Sequence, residues 1–251
     1  MALLKDIVKY CDDRVNRREV NDFAGSENGL QVANNGTVLK IGAAVDAGLV
    51  PFQKSVEAGI DFLICHHGLF WSPISPVTRN NYGKLKVLFD GNCALYGSHL
   101  PLDCHPEIGN NAILASKLHL SKIGTFLPFE GHDIGLILEC NSSRDELKAQ
   151  LNALFPKNVV SIEFGSRMPR RIGILTGSGA SAVTALRAHS IDTLITGEIK
   201  QNFFNYAQEE NLNLYMCGHY ETEVFGVEAL GQEVAAKYGL SYEFIRTDCP
   251  L

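Results

Sequence analysis

The segment Ile60–Gly68, which reads IDFLICHHG, is a short apolar run that ends in two adjacent histidines and a glycine. A continuous apolar run of this length is typical of a buried β-strand. Neighbouring strand residues point to opposite faces, but a turn permitted by Gly68 would let both imidazoles serve one site. We therefore expect a metal or catalytic site at the end of a buried strand. The alternative is a pair of histidines in an ordinary loop.

Strand and helix patterns alternate along most of the chain. The sequence predicts strands near Val38–Val45, Asp61–Cys65, Ala94–Gly97, Ile134–Glu139, Val159–Phe164, Arg171–Leu175, Thr193–Thr196, Leu214–Cys217 and Tyr242–Arg246. It predicts helices at the N-terminus and near Val50–Ala58, Gly83–Asp90, Asn110–Leu118, Arg144–Phe155, Ala180–His189, Phe203–Glu209 and Thr222–Tyr238. This alternation predicts an α/β fold with helices covering a mostly parallel or mixed sheet.

An internal repeat relates two parts of the sequence. Ile41-Gly42 recurs as Ile172-Gly173, and the run that begins at Ile60 recurs at Ile191, each with an offset of 131 residues (172 − 41 and 191 − 60). The same offset makes His67 and Glu198 equivalent strand ends. Ligands of open α/β sheets bind at the carboxyl ends of strands, so a true duplication predicts that both face a shared cleft. Chance matches among common residues are the alternative.

Composition and charge exclude several classes of protein. With 251 residues, 45% hydrophobic and 20% charged, the chain is neither disordered nor of low complexity. The net charge of −6 argues against a nucleic-acid partner or an anionic membrane, although a metal could still attract a phosphorylated substrate. The seven cysteines form no CxxC pair, and we find neither a signal peptide nor a long apolar run, so we expect a cytoplasmic protein.

Two further clusters follow predicted strands. The first contains His99, Asp103 and His105, and the second contains His219 and Glu223 at the start of a predicted helix. Imidazole and carboxylate donors suit Zn, Mn, Fe, Co or Ni. The alternatives are a loop in which Asp103 caps a helix, and helix-capping carboxylates beside an incidental histidine. Because one metal needs about four donors, the surplus over three strand ends favours two metals.

Two weaker signals accompany these clusters. The glycines of Gly177-Ser178-Gly179 follow a predicted strand, so their backbone N–H groups could bind a phosphate, or the loop could be only a tight turn. Glu198 follows the next strand, where it could serve as an acid or base or merely end the strand.

At these residues the sequence resembles the Nif-three-like family, whose members are described as GTP cyclohydrolase I type 2 or dinuclear metal-binding proteins. The matching segments, in family order, are Ile64–Trp71, Tyr96–Asp103, His105–Asn111, Thr176–Ala180, Thr196–Glu198 and Gly218–Glu223. One departure is Glu198, where many members have an aspartate followed by histidines; here Lys200-Gln201-Asn202 take their place.

The resemblance implies a ligand set and an architecture. It implies that two divalent ions per chain, of Zn, Fe, Mn, Co or Ni, are bound by His66, His67, Asp103, His219 and Glu223. Glu223 would be a candidate bridge, and His99 and Glu198 would act beside the ligands. It also implies two interlocked α/β subdomains with mixed sheets covered by helices and the metal site between them. We assign 1–126 with 217–251 to the first subdomain and 127–216 to the second, inserted one.

The expected function is that of a dinuclear metal-dependent hydrolase, similar to GTP cyclohydrolase type 2, in which a metal-activated water attacks a small nucleotide or purine-like substrate. The alternative is a metal-binding, metal-trafficking or regulatory protein without turnover. The expected partners are a small-molecule substrate and further copies of the chain, in the toroidal homohexamer that the resemblance implies. We expect neither a membrane nor a nucleic acid among the partners.

Overall fold

The protein divides into two compact units in a computed structural model that describes residues 1–71, 75–247 and 249–250. Unit 1 comprises Met1–Ile108 with Gly226–Asp248, and unit 2 comprises Gly109–Phe225 with Cys249–Leu251, the undescribed residues excepted. Each unit contains its own sheet and its own hydrophobic core.

Strands and helices alternate as the sequence predicts. The strands are β1 (Ala2–Leu3), β2 (Gly29–Val32), β3 (Thr37–Val38), β4 (Lys40–Asp46), β5 (Phe62–His67), β6 (Ala94–Gly97), β7 (Ser121–Phe129), β8 (His132–Glu139), β9 (Val160–Glu163), β10 (Arg171–Ser178), β11 (Thr193–Glu198), β12 (Asn213–Met216) and β13 (Ser241–Phe244). The α-helices are α1 (Leu4–Arg14), α2 (Leu49–Glu57), α3 (Arg79–Asp90), α4 (Leu100–Asp103), α5 (Asn110–Lys117), α6 (Arg144–Leu154), α7 (Ala180–Val183), α8 (Phe203–Glu209) and α9 (His219–Tyr238). Within the described ranges, no helix is both long and apolar enough to cross a membrane.

The sheet of unit 1 has the strand order β13-β4-β5-β6-β2. Its first four strands run parallel, and β2 pairs antiparallel with β6. Successive residues of β5 enter two different cores: Phe62 and Ile64 pack in one cluster, and Leu63 and Cys65 pack in the other. A strand buried on both faces must be apolar at every position, which explains the unbroken run before the histidines.

The sheet of unit 2 has the order β7-β8-β10-β11-β12-β9. Its three central strands β10, β11 and β12 are parallel, and β8 and β9 flank them in the antiparallel direction. Ile172 and Ile174 of β10 pack in one core cluster with Leu147 and Leu151 of α6. Both sheets are therefore mixed and carry helices, which confirms the predicted α/β class.

The internal repeat extends to the pairing of the strands. Ile41 of β4 is the register partner of Phe62 in β5, and Ile172 of β10 is the partner of Thr193 in β11. Both partners keep the offset of 131 residues (172 − 41 and 193 − 62). His67 is the last residue of β5 and Glu198 the last of β11. The two units thus contain equivalent pairs of parallel strands.

Several elements differ from the sequence prediction, among them the strand predicted over Val38–Val45, which is divided into β3 and β4. Strands β1, β2 and β7 and the single-turn helix α4 were not predicted; β7 has only one buried residue, Phe126, and contains Pro128, so it lacks the apolar signal of a buried strand. The helix predicted over Ala180–His189 is divided into α7 and a 3₁₀ helix over Leu186–His189. Adjacent β-branched residues at Val183 and Thr184 favour a break there.

The contacts within the chain divide the units after Ile108 and after Phe225, whereas the sequence prediction divides them after residue 126 and before residue 217. Residues 109–126 belong to unit 2 because Leu114 and Leu118 are buried in its core and β7 pairs with β8. The first turns of α9 belong there too: the ring centroid of Phe225 lies 6.0 Å from that of Phe155.

Candidate metal centre

Three histidines of unit 1 meet where two parallel strands end. His66 and His67 close β5, and His99 follows the end of its neighbour β6. The ring centroid of His66 lies 4.9 Å from each of the other two rings, which are 5.6 Å from one another. One ring nitrogen from each histidine lies within 4.8 Å of the others. Strand ends in a parallel sheet thus bring together side chains that are 32 residues apart in sequence (99 − 67).

Asp103 adds a carboxylate to this group. It is the last residue of α4, the single turn that follows His99. Its Oδ2 atom lies 3.4 Å from Nε2 of the fully buried His66. The structure therefore brings together four of the five candidate residues of unit 1, all except His105, and it places His99 among the nitrogens able to bind a metal.

Each of the three rings is oriented through its Nδ1 atom. Nδ1–H of His66 donates to the carbonyl oxygen of Ser98 at 3.0 Å, and Nδ1–H of His67 donates to Asp46 at 2.8 Å. Nδ1–H of His99 donates to Asp22 at 2.9 Å. Carbonyl and carboxylate oxygens only accept hydrogen bonds, so they fix the proton on Nδ1 and leave the lone pair of the neutral ring on Nε2. Metal-binding histidines in proteins are commonly held in this way.

The carboxylate of Asp22 accepts several hydrogen bonds. Its burial alone would raise the pKa, but hydrogen bonds from His99, Asn28 and the Phe23 N–H outweigh that effect and lower the pKa of Asp22 to about 2. The carboxylate also accepts the backbone N–H of Leu100. Neither Asp22 nor Asp46 was predicted from sequence. Asp46 ends a buried strand, which is the signal that identified His67, whereas Asp22 lies in an irregular segment that carries no such signal.

The second set of donors lies in unit 2, in the first turns of α9. His219 and Glu223 are one helical turn apart, and His219 Nε2 lies 3.2 Å from Glu223 Oε1. On the other side of the ring, Nδ1 lies 3.0 Å from Oε1 of Glu198 at the end of β11. Hydrogen bonding to the buried Glu223, supported by Glu198, raises the pKa of His219 to about 9 despite the opposing effect of burial. These two carboxylates therefore hold a positive charge between them.

Gly177, near the end of β10, and Gly179, directly after it, support this set of donors. Gly177 has a φ of +66°, and a Cβ atom there would lie 2.1 Å from Oε1 of Glu223. Its N–H donates to Thr222 Oγ1 at 3.0 Å, and the N–H of Gly179 donates to the carbonyl of Glu198 at 2.9 Å. Both glycine amides are thus engaged within unit 2, which favours the tight-turn interpretation of this segment over the phosphate-binding one.

His105 and the cysteines near the ligands have other surroundings. His105 Nδ1 accepts the backbone N–H groups of Glu107 and Ile108, and its Nε2 lies 2.6 Å from Arg14, so it serves a polar network of α1. Cys65 is fully buried, and desolvation raises the pKa of its thiol well above the ordinary value. It is a packing residue of β5.

The residues present fit divalent first-row metals. Imidazole nitrogens with fixed tautomers and carboxylate oxygens are the donors that such ions take. In unit 1 the candidates are His66, His67, His99 and Asp103, and in unit 2 they are His219 and Glu223.

Comparisons with known proteins show which family the chain resembles in sequence. A sequence model of the family described as Duf34/NIF3 (NGG1p interacting factor 3) matches residues 2–250. A Deinococcus radiodurans protein is 36% identical over 222 residues, which cover 88% of this chain and 84% of that protein. A Halobacterium salinarum protein is 36% identical over 249 residues, 96% of this chain and 97% of its own. Both bear the name "GTP cyclohydrolase 1 type 2 homolog".

Solved structures share the fold over the whole chain. The protein TTHA1606 from Thermus thermophilus superposes with a TM-score of 0.89 at 34% identity, covering 100% of both chains. The protein ybgI, described as of unknown function, superposes with a TM-score of 0.91 at 31% identity, again over 100% of both chains. With the family match over residues 2–250, these likenesses show that the chain belongs to the Duf34/NIF3 family.

Proposed function

We propose that this protein is a dinuclear metal-dependent hydrolase that uses an activated water to attack a small nucleotide or purine-like substrate. One observation carries the proposal: His66, His67, His99 and His219 are all oriented through Nδ1 by an oxygen acceptor. Hydrogen bonds that fix Nδ1 in this way are expected of histidines that bind a metal or lie beside its ligands, and packing alone does not require them.

The proposed ligands are His66, His67, Asp103, His219 and Glu223. The pair in unit 2 is too few to bind an ion tightly alone, since a divalent ion takes about four donors. The family resemblance supplies the remaining step, namely that both sets serve one dinuclear centre with Glu223 as the bridge. When bound, a pair of ions would lower the pKa of a water and polarise the group under attack.

The other residues of the site would orient ligands and move protons. Asp46 holds the ring of His67, and Glu198 holds the ring of His219. The Glu198 side chain is 48% exposed, so its carboxylate is also placed to exchange a proton with solvent. His99, joined through Nδ1 to Asp22, is a second group that could accept a proton from substrate or water.

Metal content and turnover test this function together. We expect about two equivalents of divalent ion per chain by elemental analysis, and loss of about one in Asp103→Ala. The metal-loaded protein should consume GTP, as measured by chromatography of the reaction mixture, and Asp103→Ala should not. Asp90→Ala, in which an exposed carboxylate of α3 is removed, is the matched control and should keep both properties.

Two results would contradict the proposal in different ways. A folded protein that binds less than about half an equivalent after metal is added back would remove the metal centre itself. Two bound ions with no turnover of GTP or related nucleotides, and rapid transfer of metal to a chelator, would favour the metal-trafficking alternative.

Location and assembly belong to the same proposal. The seven cysteines all lie in the described ranges and none of them forms a disulfide, which is consistent with a reducing cytoplasm. The family resemblance implies a toroidal homohexamer, and we propose that assembly for this chain. Sedimentation velocity at micromolar concentration should give the mass of six chains of 27.5 kDa, and a monomer under those conditions would contradict it.

A further inference from the structure

Two aromatic side chains flank His99 in unit 1. The ring centroid of Trp71 lies 5.2 Å from that of His99 at an interplanar angle of 75°, and the ring centroid of Phe23 lies 5.8 Å away at 40°. Trp71 also approaches His67, with a centroid distance of 6.2 Å. Both rings therefore lie beside His99, and Trp71 also lies beside the predicted ligand His67.

Hydrogen bonds fix the indole and the segment that carries Phe23. Trp71 Nε1–H donates to the carbonyl of Gly68 at 2.9 Å. The segment around Phe23 is closed by a bond from the Ser26 N–H to the carbonyl of Phe23 at 2.8 Å and by a bond from Asn28 to Asp22 at 2.7 Å. A ring held in advance loses little entropy when it binds a ligand.

The two segments are also joined to each other. The Glu27 N–H donates to the carbonyl of Phe70 at 3.2 Å, and the Leu69 N–H donates to Gln31 Oε1 at 2.7 Å. Leu69 and Phe70 pack against a core cluster of unit 1, whereas Phe23 remains 44% exposed. The exposed ring of Phe23 thus lies on a surface that hydrogen bonds hold in place next to the histidines. It contributes less to the core than Leu69 and Phe70 do.

The geometry points to Phe23 and Trp71 as a stacking subsite that binds the planar heteroaromatic ring of the substrate beside His99. Aromatic faces stack on nucleobases and related rings with little dependence on ring substituents, because every such ring has a π-face. An aliphatic or purely sugar-phosphate ligand has no π-face to stack and therefore gains less from these rings. This inference rests on the proposed function for the presence of a substrate at the histidines, and it assigns the two side chains that would bind the flat ring of that substrate.

The single tryptophan makes the subsite directly measurable. Trp71 is the only tryptophan of the chain, so intrinsic fluorescence reports on this position alone. We would titrate the zinc-loaded full-length protein with guanosine 5′-monophosphate and, as the ring-free match, with ribose 5-phosphate. The expected result is saturable quenching by the first compound and no saturable change with the second. Saturable quenching of equal size with both would overturn the subsite.

Variants separate stacking from general effects on the fold. Phe23→Ala should weaken the affinity for guanosine 5′-monophosphate about fivefold or more, and Phe23→Tyr, which keeps the ring, should restore it. Tyr82→Ala removes a 57% exposed ring from α3 and should leave the affinity unchanged. Equal losses in Phe23→Ala and Tyr82→Ala would overturn the role of Phe23.

The same measurements keep this inference distinct from the hydrolase. Ring-dependent quenching without any turnover of GTP would contradict the hydrolase and leave the stacking subsite standing. Turnover of GTP with no ring-dependent quenching would contradict the subsite alone. A change of Trp71 fluorescence on simple dilution, abolished by Phe23→Ala and insensitive to guanosine 5′-monophosphate, would instead show that a second copy covers the rings, and would overturn the inference.

Discussion

His67 and Asp46 are register partners across the parallel strands β5 and β4, and the Nδ1 atom of His67 lies 2.8 Å from Oδ1 of Asp46. Each residue is the last of its strand. The sheet therefore places a hydrogen-bond acceptor directly beside the histidine, and the orientation of the imidazole follows from the strand register.

Removal of this acceptor should weaken metal binding. We expect Asp46→Ala to lower the affinity for Zn²⁺ or Mn²⁺ by roughly 10- to 100-fold, because His67 loses the group that fixes its tautomer. Asp46→Asn keeps an oxygen acceptor and should lose less. Competition with a chromogenic chelator measures the affinity, and Asp90→Ala is the control. Wild-type affinity in Asp46→Ala would show that the contact does not support a ligand.

Metal binding should depend on pH through His219. The pKa of His219 is raised to about 9, so in the metal-free protein the ring is protonated at neutral pH and must lose its proton to bind an ion. The apparent affinity should therefore increase with pH up to about pH 9. Titration calorimetry at pH 7 in two buffers of different ionisation enthalpy should detect proton release. Equal enthalpies in both buffers would contradict this exchange.

Asp22 should contribute stability that is lost in acid. Its pKa in the folded protein, about 2, lies below the ordinary value of 3.8, so the ionised carboxylate stabilises the fold above about pH 4 and this contribution disappears as the pH falls towards 2. The shift corresponds to about 2 kcal/mol. Urea unfolding of wild type and Asp22→Asn should show a difference that is constant near neutral pH and narrows in acid. A difference that stays constant down to pH 2 would exclude this linkage.

Gly177→Ala should destabilise unit 2 and disturb its donors. The substitution combines a positive φ with a clash against Glu223, and we expect a loss of about 2 kcal/mol in the free energy of unfolding. Gly131→Ala is the matched control, since Gly131 also has a positive φ but a Cβ there meets nothing within 4 Å. Thermal or urea unfolding measures both. Equal losses in the two variants would mean that the φ angle alone matters.

The sequence predicted much of the fold because the buried strands are short runs dominated by apolar and β-branched residues. β6 was predicted at its observed bounds, and β5, β10 and β11 were predicted within a few residues, since a strand covered on both faces has few polar positions to obscure it. Strand β7 escaped prediction because its exposed residues and Pro128 remove that signal. The predicted division between the units differs from the division by contacts at α5, because a helix with an apolar face could pack on either core as far as its sequence shows.

The candidate site was predicted less completely. The ligand-type residues His66, His67 and Asp103 follow apolar strands and were recognised by position. Asp22 was not, because its bond to His99 joins residues 77 positions apart through an irregular segment. Contacts of this kind depend on the path of a loop, and neither periodicity nor spacing encodes that path.

The acceptor of His66 differs from the others in chemical kind, since it is the main-chain carbonyl of Ser98. Replacing the side chain at position 98 leaves that oxygen in place, whereas a single codon change at Asp46 or Asp22 removes the acceptor of His67 or His99. The adjacent histidines therefore differ in mutational robustness. Random mutagenesis under selection for function should recover small replacements at position 98 and few at position 46. How easily a mutation disturbs each histidine therefore depends on whether a backbone or a side-chain oxygen accepts its hydrogen bond.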